Sequence, residues 1–374
     1  MTKLRITVGN LQLDVGQSSM EKYLTNLFKS PTKLIELRKL GEGFHNAGFL
    51  VVVRVEGRER RFVMRIVRGD TGWGHDYLGD RSAVLLLQHR LFNTCPEGTC
   101  CRSFDVAGIR GDGSIASVGD TVEFFNLVEE VTEAEGKSYV DDLFRIARTD
   151  NSTDNDIVRC RKAAEFLVKL HSMKMRNDIL YKRHIRDLIG HGEMLMGVID
   201  TYPDLRQLDF TTPEEIAEIE MKAVLWRNRI KHMRHRLCRI HGDYHPFGNI
   251  RFKPDNSMVA LDLSREEYGE PADDISALTM NYVFVSVWQT GRLVDSLRRL
   301  TEVFFKTYME KTDDEELLRV IAPFYAFRGF VVAHPLYYPE LSSSQRRTIV
   351  NFIRNVLDSE VFNFKEIHVY LKDS

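Results

Sequence analysis

The sequence has no marked excess of charge of either sign, no long apolar run and few cysteines. Its 52 basic residues nearly balance 54 acidic residues, for a formal net charge of −2, which excludes a general electrostatic attraction to nucleic acid or to an anionic membrane. The longest apolar run, residues 282–288, is far too short to span a membrane, and residues 1–17 lack the apolar core of a signal peptide. Five cysteines, an odd number, argue against a secreted disulfide framework. We expect a soluble, cytoplasmic protein with no nucleic-acid or membrane partner.

The part of the chain before about residue 131 has the pattern of a small β-rich lobe. Residues 37–68 alternate between apolar and polar side chains and predict successive antiparallel strands with an intervening turn. A helix is predicted from Asp80 to Leu91, followed by a glycine turn at 111–113 and a further strand at 124–131.

The rest of the chain has helical character. Apolar residues recur at helical spacing in residues 158–173, 213–237, 273–288, 293–311 and 342–359. A chain of 374 residues is long enough for two lobes that each bury a core. The expected core aromatics are Phe124, Phe125, Tyr282, Phe284 and Trp288. The predicted order is an N-terminal extension at 1–33, a β-rich lobe at 34–131 and an α-rich lobe at 132–374.

The stretch IHGDYHPFGNIRF, residues 240–252, concentrates polar side chains in a short segment. His241, Asp243 and His245 alternate along it and could present three ligands to iron or zinc, as in a metal-dependent hydrolase or oxygenase. The proline and the glycine favour a loop, however, and three ligands so close together do not readily surround one ion. A second alternative is a loop held only by its own hydrogen bonds.

A third interpretation uses the residues that follow. Asn249 comes six residues after Asp243, and a predicted hairpin then leads to Asp262 near the end of the strand MVALDLS. Phosphoryl transfer needs a carboxylate at the acceptor hydroxyl and hard oxygen ligands for Mg²⁺. A loop with an aspartate and an asparagine, followed by a second aspartate, supplies both.

The motifs HGDYHPFGN and ALDLSREEYGEPADDISAL resemble the catalytic loop and the downstream aspartate elements of the aminoglycoside phosphotransferase and choline kinase superfamily. AAEFLVKLHSM, EFFNLVEEV and FVMRIVR resemble three further elements, so the resemblance covers about residues 37–288. It implies a two-lobed α+β structure, the protein-kinase-like fold, with a small β-rich N-terminal lobe that binds nucleotide and a larger α-helical lobe for catalysis and substrate. It also implies an enzyme that uses ATP and Mg²⁺ to phosphorylate a hydroxyl of a small molecule.

The resemblance assigns roles to residues of the second lobe. Asp243 matches the catalytic base, and Asn249 and Asp262 match the Mg²⁺ ligands. Asp274 matches an aspartate that braces the catalytic loop. His241 is also expected to brace it, by bonding a backbone carbonyl or Asp262.

The resemblance also assigns roles in the nucleotide-binding lobe. Gly41 and Gly43 match the loop that covers the phosphates, and Arg65 matches the cation over the α- and β-phosphates, where the family usually has lysine. A guanidinium group binds phosphate in a different geometry from an ammonium group. No helical glutamate is available to pair with Arg65, so Asp80 or Asp76 is expected to replace it, although either could simply cap the helix.

The spacing of Asn249 departs from the family, in which the asparagine follows the catalytic aspartate by five residues. The fifth position here is Gly248, which has no side chain to bind a metal. The extra residue adds at most about 3.5 Å of chain. Because glycine readily takes a positive φ, we expect Gly248 to absorb this length as a bulge, so that Asn249 still points at the metal.

Two functional alternatives stay open beside the kinase. One is a pseudokinase-like regulator that binds nucleotide without turnover, because the asparagine is shifted and Arg65 replaces lysine. The other is the iron- or zinc-dependent enzyme considered above. The acceptor is not identified by the sequence: an aminoglycoside would need an acidic pocket, and choline would need an aromatic cage, for which Tyr337 and Tyr338 are candidates.

Overall fold

A computed structural model of the protein describes residues 3–96, 100–132 and 136–373. It divides into two compact units, Met1–Val128 and Glu129–Ser374. All the cysteines lie in the described ranges and are free thiols. Within these ranges, no helix combines the length and the apolar character needed to cross a membrane.

The first unit is built mainly from strands. Its elements are β1 (Lys3–Val8), β2 (Leu11–Gly16), α1 (Gln17–Phe28), β3 (Thr32–Glu42), β4 (Asn46–Val55), β5 (Arg58–Val67), α2 (Leu78–Thr94), β6 (Ala107–Ile109) and β7 (Ile115–Ser117). β4 lies between β3 and β5 in an antiparallel sheet, while β1 pairs with β2 and β6 pairs with β7. The strands expected in residues 37–68 and the helix expected from Asp80 are confirmed.

The core of the first unit lies where the β3–β5 sheet, the β1–β2 hairpin and α1 meet. The apolar run of β4 is almost entirely buried, as expected for the central strand of a covered sheet. The hairpin and α1 contribute Ile6, Val15 and Met20 to this core. Residues within the predicted N-terminal extension are therefore part of the packing of the first unit.

The turns of this unit use left-handed backbone conformations. Glu56 and Gly57, between β4 and β5, have φ values of 50° and 76°. Gly113, between β6 and β7, has a φ of 77°, and its N–H donates to the carbonyl of Arg110 at 2.9 Å. Glycine takes this conformation at little cost, so the glycine turn predicted at 111–113 is confirmed.

The strand predicted at residues 124–131 is wrong, because β6 and β7 are the only strands in the described range 100–132. Phe124 and Phe125 are 58% and 91% exposed, so their predicted place in the core is wrong as well. Aromatic and branched residues favour strands, but a strand needs a neighbour that accepts and donates its hydrogen bonds. Among the described residues, no strand pairs with this segment.

The second unit is mainly helical. Its helices are α3 (Tyr139–Thr149), α4 (Asp154–His171), α5 (Asp178–Gly190), α6 (Leu195–Asp200), α7 (Pro213–Ile230), α8 (Pro271–Thr290), α9 (Asp295–Thr312), α10 (Leu317–Val320), α11 (Ala322–Ala333) and α12 (Ser343–Leu357), with 3₁₀ helices at Leu205–Gln207, Arg234–Arg236 and Phe364–Leu371. Its short strands are β8 (Lys137–Ser138), β9 (Cys238–Arg239), β10 (Ile250–Phe252), β11 (Met258–Ala260) and β12 (Tyr268–Gly269). β10 lies between β11 and β8, and β12 pairs with β9. The helices predicted from periodicity are confirmed as α4, α7, α8, α9 and α12.

The core of the second unit is organised around α8, which is buried along most of its length. The helix begins where the side chain of Glu270 caps the N–H of Ala272, and it ends at Gly291, whose φ is 75°. A helix that is apolar on every side is expected to be buried. Tyr282 and Phe284 are fully buried, as predicted, whereas Trp288 is only partly buried.

Candidate active site

The segment singled out in the sequence forms a loop between β9 and β10. Asp274, in the first turn of α8, holds this loop: its carboxylate accepts from the N–H of His241 at 2.7 Å and from the N–H of Gly242 at 2.8 Å. Nε2 of His171 lies 3.1 Å from the same carboxylate. Burial raises the pKa of Asp274, but the hydrogen bond from His171 and the loop contacts outweigh burial, so the pKa lies below its usual value. The prediction that Asp274 braces the loop is confirmed.

His241 is fully buried beneath the loop. Its Nδ1 accepts from the N–H of Asp243 at 3.3 Å. Burial lowers the pKa of His241 against the opposing effects of Asp274, Asp243 and the Leu261 carbonyl, which favours a neutral ring. The ring therefore braces the main chain at Asp243, and it forms no hydrogen bond with Asp262 among the described residues.

Asp243 is the side chain on which cationic groups converge. Its Oδ1 accepts from Nη1 of Arg328 at 2.6 Å and lies 2.9 Å from Nη1 of Arg265. Its Oδ2 lies 3.5 Å from Nε2 of His245, and the side chain is 18% exposed. Burial raises the pKa of Asp243, but the hydrogen bond from His245 and the charges of Arg328 and Arg265 outweigh it and hold the pKa well below its usual range. The site presents a carboxylate that is ionised at neutral pH and that solvent can reach.

The proton on His245 is located by its neighbours. Nδ1 lies 3.1 Å from the N–H of Phe247 and accepts from it. In a neutral imidazole one nitrogen accepts and the other donates, so Nε2 carries the proton and faces Oδ2 of Asp243. Nδ2 of Asn249, 3.2 Å from Nε2, is also a donor and is therefore a neighbour of this nitrogen without a hydrogen bond to it.

The amide of Asn249 is oriented by the main chain of Asp243. Its Nδ2 lies 3.0 Å from the Asp243 carbonyl oxygen. A carbonyl oxygen only accepts hydrogen bonds, so the amide atom that faces it is the nitrogen, which donates. Oδ1 accepts no hydrogen bond among the described residues and is the atom left for a metal ion. Gly248 has a φ of 93°, and a Cβ there would meet nothing within 4 Å. The predicted positive φ is confirmed, and backbone conformation alone accounts for glycine here.

The β10–β11 hairpin brings Asn249 and Asp262 to the same end of the hairpin. Ile250 pairs with Ala260, and the N–H of Leu261 donates to the carbonyl of Asn249 at 2.8 Å. Asp262 follows directly, is exposed and has a φ of 59°. The longer strand predicted to carry Asp262 is wrong: β11 ends at Ala260, because a left-handed residue cannot continue a β-ladder.

The oxygen ligands at this end of the hairpin are of the type that Mg²⁺ prefers. An amide oxygen and a carboxylate are hard oxygen ligands of the kind that Mg²⁺ takes alongside water and phosphate. Across the described ranges, no cluster of three or more His, Cys, Asp or Glu could hold a metal ion. The iron or zinc alternative also meets a physical obstacle, because two arginines already occupy Asp243 and their charges oppose a further cation at that carboxylate.

In the first unit, Gly41 and Gly43 lie where β3 turns into β4. Gly41 pairs with Gly48, and a Cβ on Gly41 would meet nothing within 4 Å. The N–H of Gly43 donates to the carbonyl of Asn46 at 2.9 Å. The turn is therefore a tight hairpin with open space above Gly41.

Arg68 fastens this turn and was missed by the sequence reasoning. Its Nη1 donates to the carbonyl of Gly43 at 3.2 Å, and its side chain pairs with Glu42 at 3.2 Å and with Asp70 at 2.9 Å. Arginine at the end of a polar strand gives no sequence signal of such a contact.

Arg65 is exposed on β5, opposite Gly48, and makes no ion pair with any described residue. Asp80 caps α2, since its carboxylate accepts from the N–H of Tyr77 at 2.8 Å. The structure thus gives Asp80 the capping role that the sequence also allowed.

Two arginines of the second unit were also missed. Arg265 lies three residues after Asp262, within a motif that had been noted for its aspartates. Arg328 lies on α11, 85 residues after Asp243, in the segment APFYAFRGFVVA. A single charge within an otherwise apolar helix indicates a buried ion pair and was the available signal.

Aromatic rings border the loop. The ring of Phe247 lies 6.3 Å from that of Tyr338, which in turn lies 5.7 Å from Trp288. These rings are partly exposed, so they form an accessible surface beside the loop. Tyr337, the other tyrosine considered for an aromatic cage, stacks instead on His334 at 4.0 Å.

The model of the phosphotransferase enzyme family matches residues 36–308. Similar solved structures include an ethanolamine kinase of Plasmodium vivax, with 16% identity, 95% of this chain and 86% of that chain covered, and a TM-score of 0.33. A choline kinase from Streptococcus pneumoniae has 11% identity, covers 90% of this chain and 98% of its own, and has a TM-score of 0.32. No curated protein sequence matches the chain.

Proposed function

The chain belongs to the phosphotransferase enzyme family, and from this premise we propose that it transfers the γ-phosphate of ATP to a hydroxyl of a small molecule. Membership makes it a small-molecule phosphotransferase with the protein-kinase-like fold that the motifs predicted. The use of ATP, the use of Mg²⁺ and the role of Asp243 are parts of the proposal.

Asp243 receives the acceptor. Its Oδ1 is taken by two arginines, whereas Oδ2 faces only His245, at 3.5 Å, so Oδ2 is the oxygen that meets the acceptor hydroxyl. The hydroxyl oxygen forms a bond to the γ-phosphorus, the bond from that phosphorus to the bridging oxygen breaks, and ADP leaves. The hydroxyl proton passes to Oδ2. Because the low pKa of Asp243 makes it a weak base, its main effect is to orient the hydroxyl, which loses its proton late in a loose transition state.

Asn249 and Asp262 hold the metal. The free Oδ1 of Asn249 and the exposed carboxylate of Asp262 lie at one end of the β10–β11 hairpin. Mg²⁺ bound there would neutralise negative charge on the nucleotide phosphates. The carbonyl of Asp243 restrains the Asn249 amide, so the distance between the metal site and the acceptor site is held constant.

Residues of the first unit bind the nucleotide. Gly41 and Gly43 lie at the turn that covers the phosphates, and the open space above Gly41 lets main-chain amides approach an anion. Arg65 is exposed and has no described ion-pair partner, so its guanidinium group is available for the α- and β-phosphates. Asp80 supports this lobe as the cap of α2.

The observation that carries the proposal is the hydrogen bond between the Asn249 amide and the Asp243 carbonyl, which joins the metal and acceptor sites despite the unusual spacing. The test is to incubate the purified protein with Mg·ATP and a panel of amino sugars, amino alcohols and other hydroxylated metabolites. ADP release and the mass of a phosphorylated product are measured, with Asp243→Asn as the control. ATP binding without transfer to any acceptor or to water would favour the pseudokinase-like regulator.

A further inference from the structure

Arg328 connects the catalytic loop to α8. It lies on α11, outside the residues that the family model matches, and is only 5% exposed. Its Nη1 donates to Oδ1 of Asp243 at 2.6 Å, and its Nη2 donates to Oδ1 of Asp273 at 2.7 Å and to the carbonyl of Gly242 at 3.0 Å. One guanidinium group thus bonds the acceptor carboxylate, the loop main chain and the first turn of α8.

Asp273 and Asp274 are consecutive residues that hold the loop in two ways. Asp274 accepts the N–H groups of His241 and Gly242 directly. Asp273 reaches the carbonyl of Gly242 through Arg328. The N–H and the carbonyl of Gly242 belong to the two peptide planes on either side of it, so both planes are restrained. A Cβ on Gly242 would lie 2.0 Å from the Ser264 carbonyl oxygen, so only glycine fits at this position of the loop.

The second arginine at Asp243 does not make this connection. Arg265 also lies against Oδ1 of Asp243, at 2.9 Å, and its side chain is 18% exposed. It follows β11 in the chain and has no described contact with Asp273. Arg265 Nη1 also donates to the Gly242 carbonyl at 2.5 Å, so Arg265 holds the carboxylate to the loop itself, whereas Arg328 ties it to a helix. The guanidinium group reaches Asp243 and Asp273 through two different nitrogens held in one rigid plane, whereas an ammonium group has all its donors on a single nitrogen and cannot reproduce this arrangement.

We propose that Arg328 is a positioning residue for phosphoryl transfer. It holds Oδ1 of Asp243 so that Oδ2 is presented to the acceptor hydroxyl in a constant orientation. The proposal rests on the proposed function, because it assigns Arg328 an effect on turnover that acts through Asp243. A buried arginine with two carboxylates that served stability alone would affect folding and leave turnover per folded molecule unchanged.

The experiment measures kcat and KM for Mg·ATP by ADP release, with water as the acceptor, so that no acceptor need be known. Arg328→Lys keeps the charge and loses the fork of donors. We expect kcat to fall by about 10²-fold, as for a small misplacement of a reacting group, while KM for Mg·ATP stays within about twofold. In the Asp243→Asn background the same change should cost little more, because two residues that act as one unit are not additive.

The matched control is Arg236→Lys, which makes the same replacement at a different site. Arg236 is another buried arginine that pairs with carboxylates, those of Glu270, Asp314 and Glu316, and it has no described contact with Asp243. We expect this variant to lose thermal stability and to keep the wild-type kcat per folded molecule. Asp273→Asn is the second test of the proposal: it leaves Arg328 in place, loosens its attachment to α8 and should also lower kcat without raising KM for Mg·ATP.

Several results would reject the positioning role. One is a wild-type kcat in folded Arg328→Lys, and another is losses from Arg328→Lys and Asp243→Asn that multiply in the double variant. If Arg328→Lys does not fold, Asp273→Asn decides, and a wild-type kcat there rejects the proposal. If neither variant folds, Arg328 is a structural residue and the proposal is wrong. Failure of the proposed function gives a different result, since the wild-type protein itself would then release no ADP.

Discussion

Nδ2 of Asn249 donates to the main-chain carbonyl of Asp243 at 3.0 Å. The residue proposed to bind the metal is thereby attached to the residue proposed to bind the acceptor, six positions earlier in the chain. Gly248 makes this contact possible, because its φ of 93° turns the chain so that the Asn249 side chain reaches back to the loop.

The first prediction concerns Gly248. Gly248→Ala and Gly248→Val should both lower transfer, valine more strongly, because side chains resist a positive φ and would move Asn249 away from the metal. A steric clash of the new side chain is not the cause, since a Cβ at Gly248 meets nothing within 4 Å. The dependence of transfer on Mg²⁺ concentration should shift to higher values. Deleting Gly248 instead restores the five-residue spacing of the family, and we expect transfer to survive.

Gly291 offers a matched control for Gly248. It ends α8 with a φ of 75°, and a Cβ there also meets nothing within 4 Å. Gly291→Ala should cost about 1–2 kcal/mol of stability through the same backbone strain and leave the Mg²⁺ dependence unchanged. Equal Mg²⁺ dependence in Gly248→Val, Asn249→Ala and wild type would show that Asn249 is not a ligand.

The second prediction is that Asp243→Asn lowers transfer by about 10²–10⁴-fold while nucleotide affinity stays close to wild type. The carboxylate acts on the acceptor hydroxyl and makes no contact with the nucleotide in the proposed mechanism. Loss of its charge should also lower the melting temperature, because Arg328 would keep only one of its two carboxylate partners. ATP titration by calorimetry shows that the variant is folded, and near-wild-type turnover would remove Asp243 from the mechanism.

The third prediction is that Asp262→Asn weakens binding of Mg·ATP and leaves binding of ATP in EDTA unchanged. Asparagine is the appropriate replacement because it tolerates the left-handed conformation that Asp262 adopts, with a φ of 59°. Asp262→Ala should lose the same affinity and some stability in addition.

Asp255→Asn is the control for Asp262. Asp255 is exposed in the turn of the same hairpin and accepts from the N–H of Ser257 at 2.8 Å. Its replacement should leave Mg·ATP binding unchanged. The metal assignment would be contradicted by equal Mg·ATP affinities in Asp262→Asn and wild type.

The fourth prediction concerns pH. His184 on α5 is buried, and its Nδ1 lies 2.6 Å from the carboxylate of Glu266. Burial lowers the pKa of His184, but the hydrogen bond and charge of Glu266 raise it from 6.5 to about 9. A raised pKa means that this pair stabilises the folded state fully below about pH 6.5 and that the contribution is lost as pH rises through about 9. The contribution is at most about 3 kcal/mol.

Melting temperatures between pH 6 and pH 10 test this pH dependence. The wild-type melting temperature should fall across the window more steeply than that of His184→Gln, which lacks the titrating group. Other groups titrate equally in both proteins, so the difference between the two curves isolates His184. Parallel curves would mean that His184 and Glu266 do not form a charged pair.

The sequence was sufficient for most of the secondary structure and for locating the loop and hairpin that carry the candidate site. Periodicity determined β3 to β5 and the long helices of the second unit, because alternation and helical spacing are local properties. The spacing of Asp243, Asn249 and Asp262 was likewise readable, since the loop and the hairpin that carry them are continuous in the chain. The positive φ of Gly248 followed from local chemistry as well.

Partners distant in the chain were decided only by the tertiary structure. Arg328 reaches Asp243 because α11 packs beside α8, and no local pattern encodes a contact between residues 85 positions apart. The segment at 124–131 shows the converse, since its strand propensity is local but a strand requires a paired neighbour. The position of the loop residues on one continuous segment was thus predictable from the sequence itself. The charges that surround Asp243 depend instead on which helices the folded chain packs against it.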